Sequence, residues 1–399
     1  MRQKKILFLG ATAQQIPPIE YALEQGHYVI TCDYLPENPG HKLAHEWHNI
    51  STTDKKAVLS LAQTLNIDGI VAYASDPAAP TQAYVAEKMG LVGNSYECAL
   101  MLARKDLFRV FLAQNGFLVP QSAAFYKIDK AKVWLTRIDP PVIVKPVDSS
   151  GSKGVTKVTE FSQFEEAFNH ALQFSHEKKV IVEEFFLKDG YQVDGDGFIV
   201  DGKLVIFEGG NQHNDHGCHS FVPSGISFPS ILSEQKKELA CSTVQRCLNL
   251  LGFKNGAINF EYQFDKDGNF FLIEIGPRNG GNLIPEVIKY TTGIDLIKYT
   301  VDSALGFDCS TLMKQPIKGY YSSYLLHAQE DGVVKEIWYS EDIKKNIIQE
   351  TTYIKKGDGV KKFNGSNQTL GTMIMKFDSQ EEMLEKMDNM ERYLKVIIT

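Results

Sequence analysis

With 399 residues, the chain is long enough for two or three domains and a large core. Its hydrophobic and charged fractions, 43% and 23%, are those of an ordinary globular protein, and a net charge of −7 argues against nucleic acid or an anionic membrane as partner. No run approaches the ~20 apolar residues of a membrane span, Ile6–Leu9 is too short for a signal peptide, and the six cysteines include no C-x-x-C, which fits reduced thiols in a cytoplasmic setting.

Lys4–Leu9 is a short apolar run ending at Gly10 and predicts a first strand. A helical pattern around Ile19–Gln25 and a second run, Tyr28–Cys32 closed by Asp33, complete a strand–helix–strand unit. The turn Gly10-Ala11-Thr12-Ala13-Gln14-Gln15 lacks the later glycines of G-x-G-x-x-G, which counts against a nicotinamide dinucleotide site. The alternation continues through Asp54–Leu65 (helix), Asp68–Tyr73 (strand) and Ala78–Met89 (helix). It implies a parallel sheet covered on both faces. Tyr96–Asn115 reads as one helix with Lys105 in its middle and Gly116 as its cap. Taken alone, Lys105 is one more solvated lysine.

Pro140–Pro146 places Lys145 inside an apolar, β-branched run, where an unpaired ammonium is unfavourable. The next stretch, Asp148–Val155, is small and glycine-containing, so its backbone N–H groups can approach an anion closely. Strand lysine and loop together favour phosphate over a plain flexible turn. Val180–Phe186 is a buried strand ending in the acid pair Glu183–Glu184, which either faces water or sits beside a backbone edge offered to a flat base. Tyr191–Val200 and Lys203–Glu208 are strand-like. Gly209–Ser230 is polar and reads as a mobile substrate loop; its His213, His216 and His219 do not follow a common zinc spacing. Ser233–Leu251 is a helix.

Ala257–Phe264 and Phe270–Ile275 flank the turn residues Asp265–Asn269 and predict a hairpin. Glu261 and Glu274 lie on its two strands, followed by Pro277-Arg278-Asn279-Gly280-Gly281. Oxygen-only ligands suit Mg²⁺ or Mn²⁺, and Arg278 offers a planar fork for phosphate oxygens. The hairpin alone leaves a second reading equally open: two solvent-facing charges with Arg278 as a surface partner. Beyond about Thr311, the runs Gly319–His327, Gly332–Ile337 and Gly371–Phe377 read as antiparallel strands, and Ser379–Glu382 opens a helix as a capping box.

Taken in this order and spacing, these pieces resemble the ATP-grasp superfamily, in particular its carbamoyl-phosphate-synthase-like and carboxylate–amine ligase members. The resemblance covers residues 1–310 and is strongest from Lys105 to Gly281. It implies an α/β and α+β architecture: an N-terminal parallel α/β domain (1–115), a two-subdomain ATP-grasp centre (116–310) and a small α+β C-terminal domain (311–399). It further implies that Lys105 and Lys145 hold ATP, and that Ser149, Ser150, Gly151, Ser152 and Gly154 form a lid over its phosphates. Glu184, Phe185 and Phe186, with Glu183 beside them, would read adenine. Gln192 stands where the family commonly has a ribose-binding Glu, and His219 would lie near the phosphates. Glu261 and Glu274 would bind Mg²⁺ or Mn²⁺, and Arg278 would steady the transferred phosphoryl group. Gly276 replaces the Asn usual at a second metal site, with Asn259, Asn279 or water as substitutes.

The activity so implied is ATP-dependent activation of a carboxylate as an acyl phosphate, attacked by an amine or thiol, with Lys145 and Arg278 catalytic. The backbone amides of Asn279–Gly281 would help hold the tetrahedral oxyanion. A bicarbonate-activating, carboxylase-like enzyme and a nucleotide-binding protein without turnover are the alternatives. Small-molecule acids and amines or thiols are the expected partners, and the chain is expected to pair as a homodimer.

Overall fold

Lys5–Leu9 is apolar on both faces: Leu7 and Leu9 enter one buried cluster, Ile6 and Phe8 another. A strand covered on both sides suits a parallel sheet. It pairs in parallel with Tyr28–Asp33 on one side and Gly69–Val71 on the other, and Glu46–Asn49 extends the sheet to four strands. The structure is a computed structural model and describes residues 2–218 and 221–399.

Two antiparallel sheets carry the rest of the site. A four-stranded sheet runs in the order Ser122–Phe125, Val180–Glu184, Val142–Pro146, Thr156–Val158. An eight-stranded sheet runs Phe270–Gly276, Gly256–Phe264, Val193–Val200, Lys203–Asn214, Pro223–Phe228, Tyr320–Leu326, Gly371–Phe377, Ile347–Thr352. The last three strands come from beyond residue 310, so the carboxy-terminal segment continues the sheet that begins with the hairpin. A three-stranded sheet, Gly359–Val360, Gly332–Tyr339 and Leu394–Ile398, lies in the same segment.

Two expectations change. Tyr96–Asn115 is two helices, Tyr96–Ala103 and Lys105–Gln114, broken at Arg104, whose backbone is extended (φ −111°, ψ 106°). The Arg104 guanidinium grips Asp106 through two hydrogen bonds of 3.1 Å, and the Lys105 N–H donates to Val147 O instead of continuing a helical ladder. Lys105 therefore stands at a helix start, not in a helix middle.

The second change concerns Gly209–Ser230, which is largely strand: Lys203–Asn214 runs well past Glu208, and Pro223–Phe228 returns beside it. Its glycines permit close strand approach. A Cβ on Gly210 would lie 2.8 Å from Ile226 Cγ1 and Phe228 Cε2. The polar residues that suggested a loop are buried and bonded inward, as with Asn211, whose Nδ2 donates to Ser227 Oγ (3.1 Å) and Pro229 O (3.2 Å).

Candidate active site

The two antiparallel sheets and the amino-terminal unit enclose a cavity of about 470 Å³. Lys105, Lys145, Ser149–Ser152, Glu183–Phe186, Gln192, Glu261, Glu274 and Arg278 all line it. Gly154 does not line this cavity; it packs where a Cβ would meet Pro146 Cγ at 2.9 Å and Phe174 Cδ2 at 3.0 Å. His219 lies outside the described residues.

On one wall, pairing register sets three carboxylates in a row. Glu274 is directly opposite Glu261, and Glu261 is directly opposite Asp194 on the next strand. Glu261 alternates with the buried Phe260 and Tyr262, so it faces the cavity while they face the core, and a bulge beside it leaves Ile273 of the partner strand unpaired. Burial, then the charges of Asp194 and Glu274, push the Glu261 carboxyl up to about 8. Burial likewise raises Asp194 to about 6 against the hydrogen bond from Asn259. Like charges this close favour a cation between them. Gln192 Nε2 donates to Glu261 Oε2 (2.8 Å) and Gln212 Oε1 (3.1 Å), so it braces the acid row in this structure.

Cations stand opposite. Lys105 Nζ lies 2.9 Å from Glu274 Oε2 and donates to Ser149 O at 2.9 Å, tying the glycine-containing loop to the acid row. Burial opposes its charge, but Glu274, Asp76 and Glu261 outweigh burial and raise its pKa. Lys145 Nζ meets Glu183 Oε2 at 2.7 Å, and Arg109 Nε meets Glu183 Oε1 at 2.6 Å. Burial alone would raise Glu183; the two cations instead hold it at about 2. Glu183 is thus the anchor that holds Lys145, while Glu184 is the acid of the pair at the outer strand end. Beyond it, Phe186 packs on Phe271 with centroids 4.3 Å apart.

Arg278 binds Asp76 with two prongs, Nε to Oδ1 at 2.7 Å and Nη2 to Oδ2 at 2.6 Å. That pair explains Gly276: a Cβ there would lie 2.7 Å from Asp76 Oδ1 and 3.1 Å from Arg278 Nε. Asn279, offered above as a replacement ligand, is fully buried and committed elsewhere, accepting from Thr300 Oγ1 (2.7 Å) and donating to Asp196. The Gly280 N–H donates to both Asp196 oxygens (2.8 and 2.9 Å), so it is not directed at an oxyanion as expected. Asn259 does line the cavity, donating through Nδ2 to Asp194 Oδ1 at 2.8 Å.

Sequence reading missed Asp76, Arg109 and Asp194. Asp194 carried a signal: an acid in the strand-like run Val193–Val200 poses the same burial problem as Glu274. Asp76 and Arg109 carried none, because their partners lie far along the chain.

The loop over the cavity is held from two sides. Ser152 Oγ donates to Phe221 O at 2.6 Å, and Gly151 lies so close to Ser366 that a Cβ would come within 2.5 Å of its Oγ.

Residues 138–286 match the family model described as ATP-grasp domain. The chain is 25% identical to the carbamoyl phosphate synthase large chain of Thermoanaerobacter sp. over 57% of its own length, but spans only 20% of that protein. It is 25% identical to the alanine–anticapsin ligase of Bacillus subtilis over 79% of this chain and 71% of the relative. Among solved structures, the L-amino acid ligase from Bacillus licheniformis superposes with a TM-score of 0.83 at 21% identity, covering 100% of both chains. With the family match, residues 138–286 of the chain carry an ATP-grasp domain, in a fold shared with the L-amino acid ligase.

Proposed function

We propose that the chain is an ATP- and magnesium-dependent ligase that activates a carboxylate as an acyl phosphate for attack by an amine or thiol, releasing ADP and phosphate. The observation that carries this reading is one cavity with Lys105, Lys145 and Arg278 facing the row Asp194, Glu261 and Glu274. The row suits a hard divalent ion: every donor is oxygen, and burial, with the charges of Asp194 and Glu274, keeps Glu261 from ionising readily without one. Glu261 and Glu274, with Asp194 beside them, would hold Mg²⁺ or Mn²⁺, which when bound neutralises charge on phosphoryl oxygens.

In this reading Lys105 and Lys145 bind the ATP phosphates, and the strand end Glu184–Phe186 takes adenine. Gln192 serves the ribose side without charge assistance. The substrate carboxylate attacks the γ-phosphorus and ADP departs; the amine or thiol then attacks the acyl carbon and phosphate departs. Phosphoryl transfer needs mainly positioning and charge neutralisation, which Arg278 supplies from its seat on Asp76. Ser149–Ser152 close over the mixed anhydride and keep water from it.

Segments 1–115, 116–310 and 311–399 are read as three domains, giving Asp76, Lys145 and Ser366 respectively to one cavity. Likeness to alanine–anticapsin ligase and L-amino acid ligase supports amino acids as the acid and amine. A homodimer in the cytoplasm completes the proposal; among the described residues no helix is long and apolar enough to cross a membrane.

The test is ADP release from purified protein with Mg²⁺–ATP and a matrix of amino acids as acid and amine, with bicarbonate as a separate arm. Turnover that needs both an acid and an amine is the expected result. Turnover on bicarbonate alone assigns the chain to the carboxylase-like alternative. ATP binding without release across the matrix would leave a nucleotide-binding protein.

A further inference from the structure

The turn after Lys203–Asn214 brings together three side chains that the ATP site does not use. Asp215 Oδ2 lies 3.0 Å from His327 Nε2 and 3.5 Å from Cys218 Sγ, and the three ligand atoms all lie within 4.8 Å of one another. Gln329 Nε2 also reaches Asp215 Oδ2, at 2.9 Å. Gly217 N–H donates to Asp215 Oδ1 at 2.8 Å, which fixes the carboxylate within its own turn. His327 is buried, whereas Asp215 and Cys218 are partly exposed, so the cluster has a way in from solvent.

The histidine decides the matter. Its Nδ1 lies 2.6 Å from Leu325 O, so that nitrogen carries the proton and donates it. A neutral ring then turns the lone pair of Nε2 toward a carboxylate oxygen 3.0 Å away. Two lone pairs do not face each other stably; something positive lies between them, either a second ring proton or a metal ion. Histidines that ligate metals commonly donate the other ring N–H to a backbone carbonyl in this way. A tetrahedral zinc centre, with bonds of about 2.0–2.3 Å, sets its ligand atoms roughly 3.3–3.6 Å apart. The Asp215–His327 and Asp215–Cys218 separations are already close to that range.

We propose that Asp215, Cys218 and His327 form a second cation site, distinct from the carboxylate row, that takes a thiophilic divalent ion of the zinc class. Thiolate and imidazole donors select such ions over Mg²⁺. Gln329, with its amide turned over, or water completes the tetrahedron. The ion is a staple. It fastens the turn to the residue just past Tyr320–Leu326, and Phe221, Val222 and Pro223, a few residues further along the chain, line the ATP cavity. The cluster stands apart from the carboxylate row, with other residues and another class of ion.

The test uses the full chain stripped with EDTA, then titrated with Co²⁺ in a large excess of Mg²⁺ to occupy the carboxylate row. The expected result is one equivalent bound with thiolate-to-cobalt charge-transfer absorption, displaced by one equivalent of Zn²⁺. Cys218→Ser abolishes the band, whereas Cys241→Ser, at the other partly exposed cysteine, retains it. His327→Gln weakens Zn²⁺ binding by at least tenfold, roughly the scale of ligand-shell losses, with melting curves verifying that each variant is folded. Absence of the band, its persistence in Cys218→Ser, or equal Zn²⁺ affinity of wild type and His327→Gln would each overturn the site and leave a protonated His327 paired with Asp215.

Discussion

Asp76 and Arg278, 202 residues apart in the chain, close on each other through hydrogen bonds of 2.6 and 2.7 Å. The amino-terminal unit thereby sets the angle of the guanidinium assigned to the phosphoryl group. Asp76→Asn keeps the shape and removes the charge. The expected outcome is a fall in kcat of roughly 10²-fold, the scale of a small misplacement of a reacting group, with little change in KM for ATP. Steady-state ADP release checks this, and an unchanged kcat would show that Arg278 needs no such seat.

The same pair predicts an unusual result at position 276. Gly276→Asn restores the residue common in related sites, yet its Cβ would meet Asp76 Oδ1 at 2.7 Å. Overpacking of this kind costs about 1–3 kcal/mol. The variant should melt lower and turn over more slowly than wild type. A gain in magnesium affinity without loss of stability would mean that the collision is relieved by movement of Asp76.

Crowding of the carboxylate row gives a pH dependence. In metal-free protein, burial and the neighbouring carboxylates push Glu261 up to about 8, and burial raises Asp194 to about 6, both above their ordinary values. The folded state therefore binds more protons than the unfolded chain across the interval from their ordinary values to those raised ones. Stability from these groups is complete below the ordinary carboxylate range and is lost as pH rises toward 8. Thermal melting without Mg²⁺ should fall between pH 5 and 8, and Mg²⁺ should restore it most at the upper end. Glu261→Gln should flatten the metal-free profile; an unaltered slope in that variant would show that other groups cause it.

Glu274→Gln removes the acid that faces both Glu261 and Lys105. Turnover should drop by roughly 10²–10³-fold or more, as when one element of charge stabilisation is lost, while circular dichroism stays that of a folded protein. Wild-type rates would refute the metal assignment.

Glu183 is a different kind of residue, buried between Arg109 and Lys145 at 2.6 and 2.7 Å. Glu183→Gln leaves two cations without their shared counter-charge, and breaking a buried pair in this way costs about 3–5 kcal/mol. Urea unfolding should register that loss in the midpoint. A change in activity with no change in stability would place Glu183 on the substrate instead.

Much was legible in the residues read in order. Local patterns reveal the parallel amino-terminal unit, the hairpin from Gly256 to Gly276, the strand lysine Lys145 and the glycine-containing loop, because each is a consequence of near neighbours: alternation, turn residues, an ammonium in an apolar run. What folding alone decided is which distant charges meet. The break at Arg104 that aims Lys105 inward, the pairing of Glu183 with both Arg109 and Lys145, and the seat of Arg278 on Asp76 all depend on contacts between separate elements. So does the strand character of Lys203–Asn214, whose polar residues look like a loop until burial and cross-strand hydrogen bonds satisfy them. The reason is physical: local propensity acts over one or two turns of chain, whereas an ion pair or a sheet ladder is set by which surfaces pack together.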